Sequence, residues 1–409
     1  MINNALPPPC APTSPALSRS QAIDKPDGVP GILLILATYI PESFGGAEQQ
    51  SRKLALALAR LGVRVNVLAP RLLSSTPKWK REGPVSISRL RLRNAPNLGG
   101  RHMASALAWS LKLFWWMFRH RREYQLIHIM HGRLHALPAV YAGIILGKPT
   151  LIKIGRGGSE HFDLDVISRK RFLGPWYARA LVRHANAYVA NSREIIEDLR
   201  RWGVPPARIH QIPNGVEVAA DYSHLPASVV RFVYLGRLDP EKAIDLMIRG
   251  FARLSDRSRV TLSIVGDGDC REELQRLVDQ LQLGECVRFR GAVQEVSKEL
   301  MQSDVFVSTS LSEGMSNALL EAMSFGVMPL VSRVSGTSEI VEDYRSGVLF
   351  APGDLDAFAS KLEEVVAMSP ETRQALGTIG RTTVSERFGI DSVARRHIVL
   401  YRDLVSDPA

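Results

Sequence analysis

At 409 residues the chain is long for one core and comfortable for two, since domains cluster around ~100–200 residues. Its apolar content of 45% and charged content of 23% are those of a globular protein in solution. Cys10, Cys270 and Cys286 show no paired or metal-ligand spacing, which argues for a reducing compartment. The net charge of +11 is unevenly placed: residues 31–215 hold 29 Lys/Arg and 10 Asp/Glu, whereas residues 216–409 hold 21 and 29. A basic excess confined to the N-terminal half suits nucleic acid, anionic headgroups or a phosphorylated acceptor. No basic-aromatic RNA signature, zinc finger or basic heptad helix accompanies it, so the expected partner is a membrane surface and not nucleic acid.

In chain order, residues 1–30 carry seven prolines and no apolar run, and read as a disordered leader without a cleavable signal. The run at 31–37 is a short apolar strand of the kind buried on both faces. A glycine loop follows, Gly45-Gly46-Ala47-Glu48, then a helix over 49–61 closed by Gly62 and a strand over 63–69. Further strands are expected at 86–92, 125–129, 150–154, 187–190 and 209–212. The segment 103–118, MASALAWSLKLFWWMF, falls short of the ~20 residues needed to cross a bilayer. It reads as a crossover helix buried between strands, or as an interfacial helix anchored by Trp109, Trp115 and Trp116 with arginines behind. The two readings agree if one face packs and the other is exposed. After a linker at 217–229, a second series places strands at 231–235, 261–265, 287–290, 305–308 and 328–331. An amphipathic helix at 391–404 ends the chain. Strands separated by helices of this length predict doubly wound parallel sheets, hence an α/β protein of two domains.

Chemistry concentrates in Glu313-Gly314-Met315-Ser316-Asn317-Ala318-Leu319-Leu320-Glu321. Small residues open a helix here, so free backbone N–H groups can meet an anion. A carboxylate on each side suits a ligand with a sugar at either end and phosphate between, such as a nucleotide-diphosphate sugar. Two surface glutamates on an ordinary amphipathic helix would show the same spacing. The continuation decides between them: Phe325-Gly326-Val327-Met328-Pro329-Leu330, then Gly336-Thr337-Ser338-Glu339-Ile340. These segments, in this order, resemble the retaining glycosyltransferases of GT-B architecture, family 4, and the resemblance runs from about residue 31 onward.

That resemblance implies two Rossmann-like domains with parallel sheets facing across a cleft. Residues 31–216 would bind the acceptor and 230–390 the donor, with 391–409 returning to the N-terminal domain. Gly236-Arg237-Leu238-Asp239-Pro240-Glu241-Lys242-Ala243 matches the family's phosphate-binding segment, with Ala243 where relatives usually have glycine. Arg237 and Lys242 would then hold the diphosphate and, with Glu313, carry catalysis. Gly46, Gly236, Gly291, Val293, Gly314, Met315, Ser316, Asn317 and Leu319 would line the donor, and Glu321 would bind the ribose. The pair Asp267 and Asp269 mimics a metal motif, but this family's matching segment binds none, and no metal or other cofactor is expected. Asn214-Gly215 is a turn signal ahead of the linker.

On the acceptor side, His131 follows a strand as in relatives, and Arg156 is a candidate for an acceptor phosphate. One departure is Gly155, which stands where many relatives place a donor-touching histidine. The implied activity is retaining transfer from a UDP-sugar, or next a GDP-sugar, to a lipid-linked or polysaccharide acceptor. It would take place in the cytoplasm at the inner membrane face. A nucleotide-sugar epimerase of the same fold, or a non-catalytic nucleotide-sugar-binding protein, are the alternatives.

Overall fold

The computed structural model describes residues 29–43, 45–92, 103–158, 162–170, 173–218, 229–293 and 295–407. The leader expected at 1–30 and the linker expected at 217–229 lie almost wholly outside them. The first sheet comprises β1 (Ile32–Ile35), β2 (Val65–Arg71), β3 (Trp79–Glu82), β4 (Val85–Arg91), β5 (Leu126–Met130), β6 (Thr150–Ile154), β7 (Ala187–Ala190) and β8 (Ile209–Gln211). Their spatial order is β3-β4-β2-β1-β5-β6-β7-β8, parallel except for the β3–β4 edge hairpin. The second sheet holds β9 (Val230–Leu235), β10 (Val260–Val265), β11 (Val287–Gly291), β12 (Val305–Ser308), β13 (Met328–Ser332) and β14 (Val348–Phe350). It is parallel throughout, ordered β11-β10-β9-β12-β13-β14.

The helices are α1 (Gly46–Arg60), α2 (Met103–Arg119), α3 (Ala136–Leu146), α4 (Asp163–Ser168), α5 (Gly174–His184), α6 (Arg193–Arg201), α7 (Ile244–Ala252), α8 (Arg271–Gln280), α9 (Val296–Met301), α10 (Asn317–Ser324), α11 (Ser335–Ser338), α12 (Leu355–Ala367), α13 (Pro370–Phe388) and α14 (Ile390–Ser406). Helices on both faces explain why β1 reads as an unbroken apolar run. Ile32 and Leu34 join a core with Leu54 and Leu58 of α1 and Tyr401 of α14. Leu33 and Ile35 join the opposite core with Trp109, Leu113, Val140 and Leu181. The second sheet is sandwiched likewise, Phe232 and Tyr234 on one side, Val233 and Leu235 on the other.

Two strands escaped the sequence reading. β3 is a largely exposed edge strand, WKRE, with no apolar alternation to betray it. β14 is only three residues long. Helix α1 begins at Gly46, three residues earlier than its apolar pattern suggests, because the Gly45 carbonyl accepts the Gln49 N–H at 3.1 Å. Helix α2 packs one face and exposes the other, and Trp109, expected among the interfacial anchors, belongs to the packed face. Trp109, Leu113 and Met117 are buried, whereas Leu107, Leu111, Trp115 and Phe118 stand on the opposite side, 41–66% exposed. Among the described residues no helix is long and apolar enough to cross a membrane.

Helix α14 leaves the second sheet and packs on α1 and β5. Beneath it lies a polar cluster in an apolar core. The His128 Nδ1 is 2.7 Å from the Tyr401 hydroxyl, and its ring lies 5.6 Å from that of His397. Burial, with the Lys153 charge nearby, pushes the pKa of both rings down, that of His397 to about 3. Neutral in the fold, each ring has an ordinary value of ~6.5 when unfolded. Their contribution is therefore complete above ~6.5 and is lost as pH falls toward the depressed folded value. The expected loss approaches ~1.4 kcal/mol per pH unit for each ring. Urea midpoints measured between pH 7.5 and 5 should fall, and His128→Gln with His397→Gln should flatten the slope. An unchanged slope in that double variant would refute the assignment.

Candidate functional site

The carboxyl ends of both sheets point loops into one crevice, the usual ligand position in open α/β sheets. On the C-terminal side the loop after β9 is tightly seated. A Cβ on Gly266 would fall 1.8 Å from the Gly236 carbonyl, so only glycine allows the exits of β9 and β10 to lie so close. The Tyr234 hydroxyl donates to the Arg237 carbonyl at 2.8 Å. Above it, the Arg237 guanidinium is two-thirds exposed and pairs with Asp239 at 2.8 Å. Lys242 pairs with Glu313 at 2.5 Å, both side chains largely buried, and Ser310 donates to the same carboxylate oxygen at 3.3 Å. The Thr309 hydroxyl bridges the carbonyls of Lys242 (3.0 Å) and Ala243 (2.8 Å). The structure thus brings together Lys242 and Glu313, 71 residues apart.

Ser316 caps α10, its hydroxyl accepting the Leu319 N–H at 3.3 Å. This corrects one expectation. The Leu319 side chain is fully buried in the second domain's core and its N–H is already held, so it offers nothing to the cleft. Val293 also turns its side chain onto that core, leaving only backbone to meet a ligand. Gly291 takes φ +70° at the end of β11, and its carbonyl accepts the Gly266 N–H at 2.8 Å. Asp267 is satisfied locally, by Gly268 N–H at 2.9 Å and Arg271 at 3.1 Å. Among the described residues no group of three His, Cys, Asp or Glu could hold a metal ion.

The N-terminal wall reaches across. Asn317 Nδ2 donates to the Gly46 carbonyl at 3.0 Å, and its Oδ1 accepts from Asn214 at 2.9 Å. The Asn214 N–H points at the Met315 sulfur, 3.2 Å away. Lys53 on α1 pairs with Glu321, and Arg156 pairs with Glu241 at 2.6 Å. Glu339 accepts the Arg193 N–H at 2.7 Å and the Gln211 amide at 3.1 Å. A Cβ on Gly314 would lie 2.5 Å from the Gly155 carbonyl, which sets how closely the halves approach. His131, directly after β5, takes φ +71° with its Nδ1 3.3 Å from Asp163.

Sequence reasoning missed Lys53, Glu241 and Asp163, read Asn214 only as a turn signal and read Glu339 only as part of a family segment. Glu241 lies inside the segment read only for its cations, and Lys53 looks like any basic residue of α1. The whole arrangement offers two cations, a capped helix start and flanking carboxylates around a space between domains. An elongated ligand with an anionic middle and hydroxyl-rich ends fits that chemistry.

Comparison with known proteins agrees. A family model described as "Glycosyl transferases group 1" matches residues 224–383, and "Glycosyl transferase 4-like domain" matches 45–215. The chain belongs to the group 1 glycosyltransferases. Among relatives of this family, it is 29% identical over 224 residues to the lipopolysaccharide core biosynthesis glycosyltransferase LpsE of Rhizobium meliloti. That match covers 53% of this chain and 64% of LpsE, just under two thirds of the relative's length. N-acetyl-alpha-D-glucosaminyl L-malate synthase of Bacillus anthracis is 22% identical, over 70% of this chain and 77% of that protein. Anabaena HepE in complex with UDP superposes with a TM-score of 0.72 at 18% identity, covering 91% of this chain and 100% of HepE. Sucrose-phosphate synthase of Thermosynechococcus elongatus gives 0.74 at 22% identity, covering 92% and 99%. These likenesses show that the fold is GT-B.

Ala243 stands where the sequence resemblance leads one to expect glycine, and the structure shows what its side chain costs there. It takes φ +45° and ψ +46° at the start of α7, the left-handed region that is unfavourable by about 1–2 kcal/mol for a residue with a Cβ. Ala243→Gly should therefore stabilise the protein by about 1 kcal/mol, net of the added freedom of the unfolded chain. Calorimetry should show a rise of about 2–4 °C in Tm, and a lowered Tm would contradict the strain.

Proposed function

We propose that this protein transfers a sugar from a nucleotide-diphosphate sugar, UDP-linked first and GDP-linked next, to an acceptor hydroxyl with retention of anomeric configuration. The observation that carries the reading is the Lys242–Glu313 pair beside the capped start of α10, with Arg237 exposed above it. As the bond from the anomeric carbon to the phosphate oxygen breaks, negative charge grows on the departing diphosphate. Fixed cations aimed at that charge lower the barrier without reorganising. Lys242 gives one N–H to Glu313 and keeps two donors for phosphate. The new bond to the acceptor oxygen forms on the face where the old one breaks. The acceptor's proton passes to the departing phosphate oxygen, so this route calls for no metal and no covalent nucleophile.

Among the structural neighbours, HepE is described in complex with UDP and with UDP-glucose, which supports a uridine donor. LpsE is named for lipopolysaccharide core biosynthesis, which supports a glycolipid or polysaccharide acceptor. The exposed side of α2, with Arg119, Arg121 and Arg122 at its end, supports peripheral attachment to an anionic membrane. Arg156, already on the N-terminal wall, would meet a phosphate on such an acceptor.

UDP-, GDP- and ADP-sugars should raise the melting temperature in that order, since a ligand binding only the folded state stabilises it. Arg237→Ala and Lys242→Ala should each lower kcat by about 10²–10³-fold, the range for losing a preorganised donor. Near-normal turnover by both would defeat the reading, as would an inverted anomer by NMR. Release of an altered sugar without any acceptor would instead establish an epimerase.

Attachment has its own test. Leu111→Glu with Trp115→Glu should abolish cosedimentation with phosphatidylglycerol vesicles while leaving turnover of a soluble acceptor analogue intact. Equal binding of the variant would remove α2 from the interface.

A further inference from the structure

Donor binding leaves one carboxylate on the N-terminal wall unexplained. Asp163, the first residue of α4, is only 2% exposed. Its Oδ2 accepts the Gly132 N–H at 2.9 Å and lies 3.3 Å from His131 Nδ1, while Oδ1 lies 3.3 Å from Arg133 Nε. Burial alone would raise its pKa, but His131, Arg133 and the Gly132 N–H together bring it down to about 2. The carboxylate is therefore ionised, and its neighbour His131 lies against Gly155 on the cleft wall.

The histidine is held as if its position mattered. His131 occupies left-handed φ space, where strain persists only if the surroundings over-determine it. Its N–H donates to the Lys153 carbonyl at 2.8 Å, fixing the backbone. Its ring lies against Gly155, where a Cβ would come within 2.7 Å of the imidazole Cε1. Glycine at 155 thus makes room for the ring. The carbonyl of Gly155 is also the group nearest Gly314 across the cleft. The imidazole therefore stands one residue from the Glu313-Gly314 turn. Its Nδ1 is shut off from solvent 3.3 Å from Asp163, with no completed hydrogen bond among the described residues, yet 18% of the side chain stays open.

We infer that Asp163 is a positioning residue which binds the Nδ1 proton of His131, leaving the Nε2 lone pair to accept a hydrogen bond from a sugar hydroxyl in the cleft. A carboxylate on one ring nitrogen selects the tautomer and so makes the other an acceptor. The hydroxyl belongs either to the transferred sugar or to the acceptor. The inference rests on the transfer reading above, and its test is built to fail separately from it.

Asp163→Asn keeps the shape and the bond from Gly132 but loses the charge that fixes the tautomer. It should lower kcat/KM by about 10–100-fold, the usual cost of losing a group that orients a functional imidazole. The UDP-induced rise in melting temperature should persist, showing that the donor site, and with it the transfer reading, survives. His131→Ala should cost at least as much, and His131→Gln, whose amide oxygen can accept the same bond, should recover part of it. In the His131→Ala background, Asp163→Asn should add nothing, because residues acting as one unit are not additive. A full additional loss there would overturn the inference and leave Asp163 a purely structural acid. No difference between His131→Ala and wild type would overturn it too. If Asp163→Asn does not fold, the His131 pair of variants still decides. A rise in KM confined to the acceptor places the hydroxyl on the acceptor, and weaker UDP-sugar binding with unchanged UDP binding places it on the transferred sugar.

Discussion

Charge complementarity across the cleft is the constraint on which the site depends. The basic half and the acidic half are different halves of one chain; they meet across the cleft through Lys53–Glu321 and Arg156–Glu241, and where α14 docks on α1 through Arg60–Asp391. Part-exposed pairs of this kind contribute ~0–1 kcal/mol each. They can orient the two domains but cannot weld them. The strong tie lies elsewhere, in α14, whose Val393, Ile398, Tyr401 and Leu404 are buried in the first domain's core. Where the chain crosses between domains, Val216 N–H donates to Phe388 and Ile390 N–H donates to Val216, both at 2.9 Å. The two crossings run side by side. The domains are thus joined by one firm apolar tie and several exchangeable polar ones.

The same logic governs the phosphate end. Lys242 and Glu313 are mostly shielded from water, so separating them would leave a buried charge uncompensated, at a cost of about 3–5 kcal/mol. On the transfer reading proposed above, a diphosphate would add to the pair and not replace it. Arg237 differs, because its partner Asp239 sits three-quarters buried while the guanidinium itself is open to solvent. It can meet an incoming anion from where it stands, without leaving Asp239 buried and unpaired. Glu321 is held by Lys53 of α1, so on the same reading a ribose at Glu321 would sit beside an ammonium of the N-terminal domain.

How much of this could be read from sequence depends on the range of each contact. Buried strands announce themselves as apolar runs, and the Ser316 cap of α10 shows in its own small residues. Glu313 and Lys242 were legible because each lies within a local segment of defined character. Their mutual contact was not, nor was that of Lys53 with Glu321, since partners 71 and 268 residues apart leave no periodic trace. Leu319 was misread because spacing along a loop-to-helix turn does not say which way a side chain faces. Helix α2 was legible as amphipathic, but which of its tryptophans is buried needed the packing: Trp109 is buried and Trp115 is not.

The histidine wall and the polar cluster under α14 share a scaffold. Strand β5 carries His128 beneath α14 and is followed directly by His131 in the cleft. Strand β6 carries Lys153, buried without a hydrogen-bond partner for its ammonium, and is followed directly by Gly155. Burial pulls the Lys153 pKa down to about 8, so near neutral pH it keeps most of its charge against His128 and His397. Those rings must stay neutral beside it, and the helix bearing His397 and Tyr401 encloses all of them. Register between β5 and β6 pairs Met130 with Lys153, and the next rung is the His131 N–H on the Lys153 carbonyl. The cluster under α14 and the residue whose backbone is held in left-handed space are thus one rung apart on the same two strands. The helix that returns from the second sheet is joined in this way, through β5 and β6, to the wall that faces the second domain across the cleft.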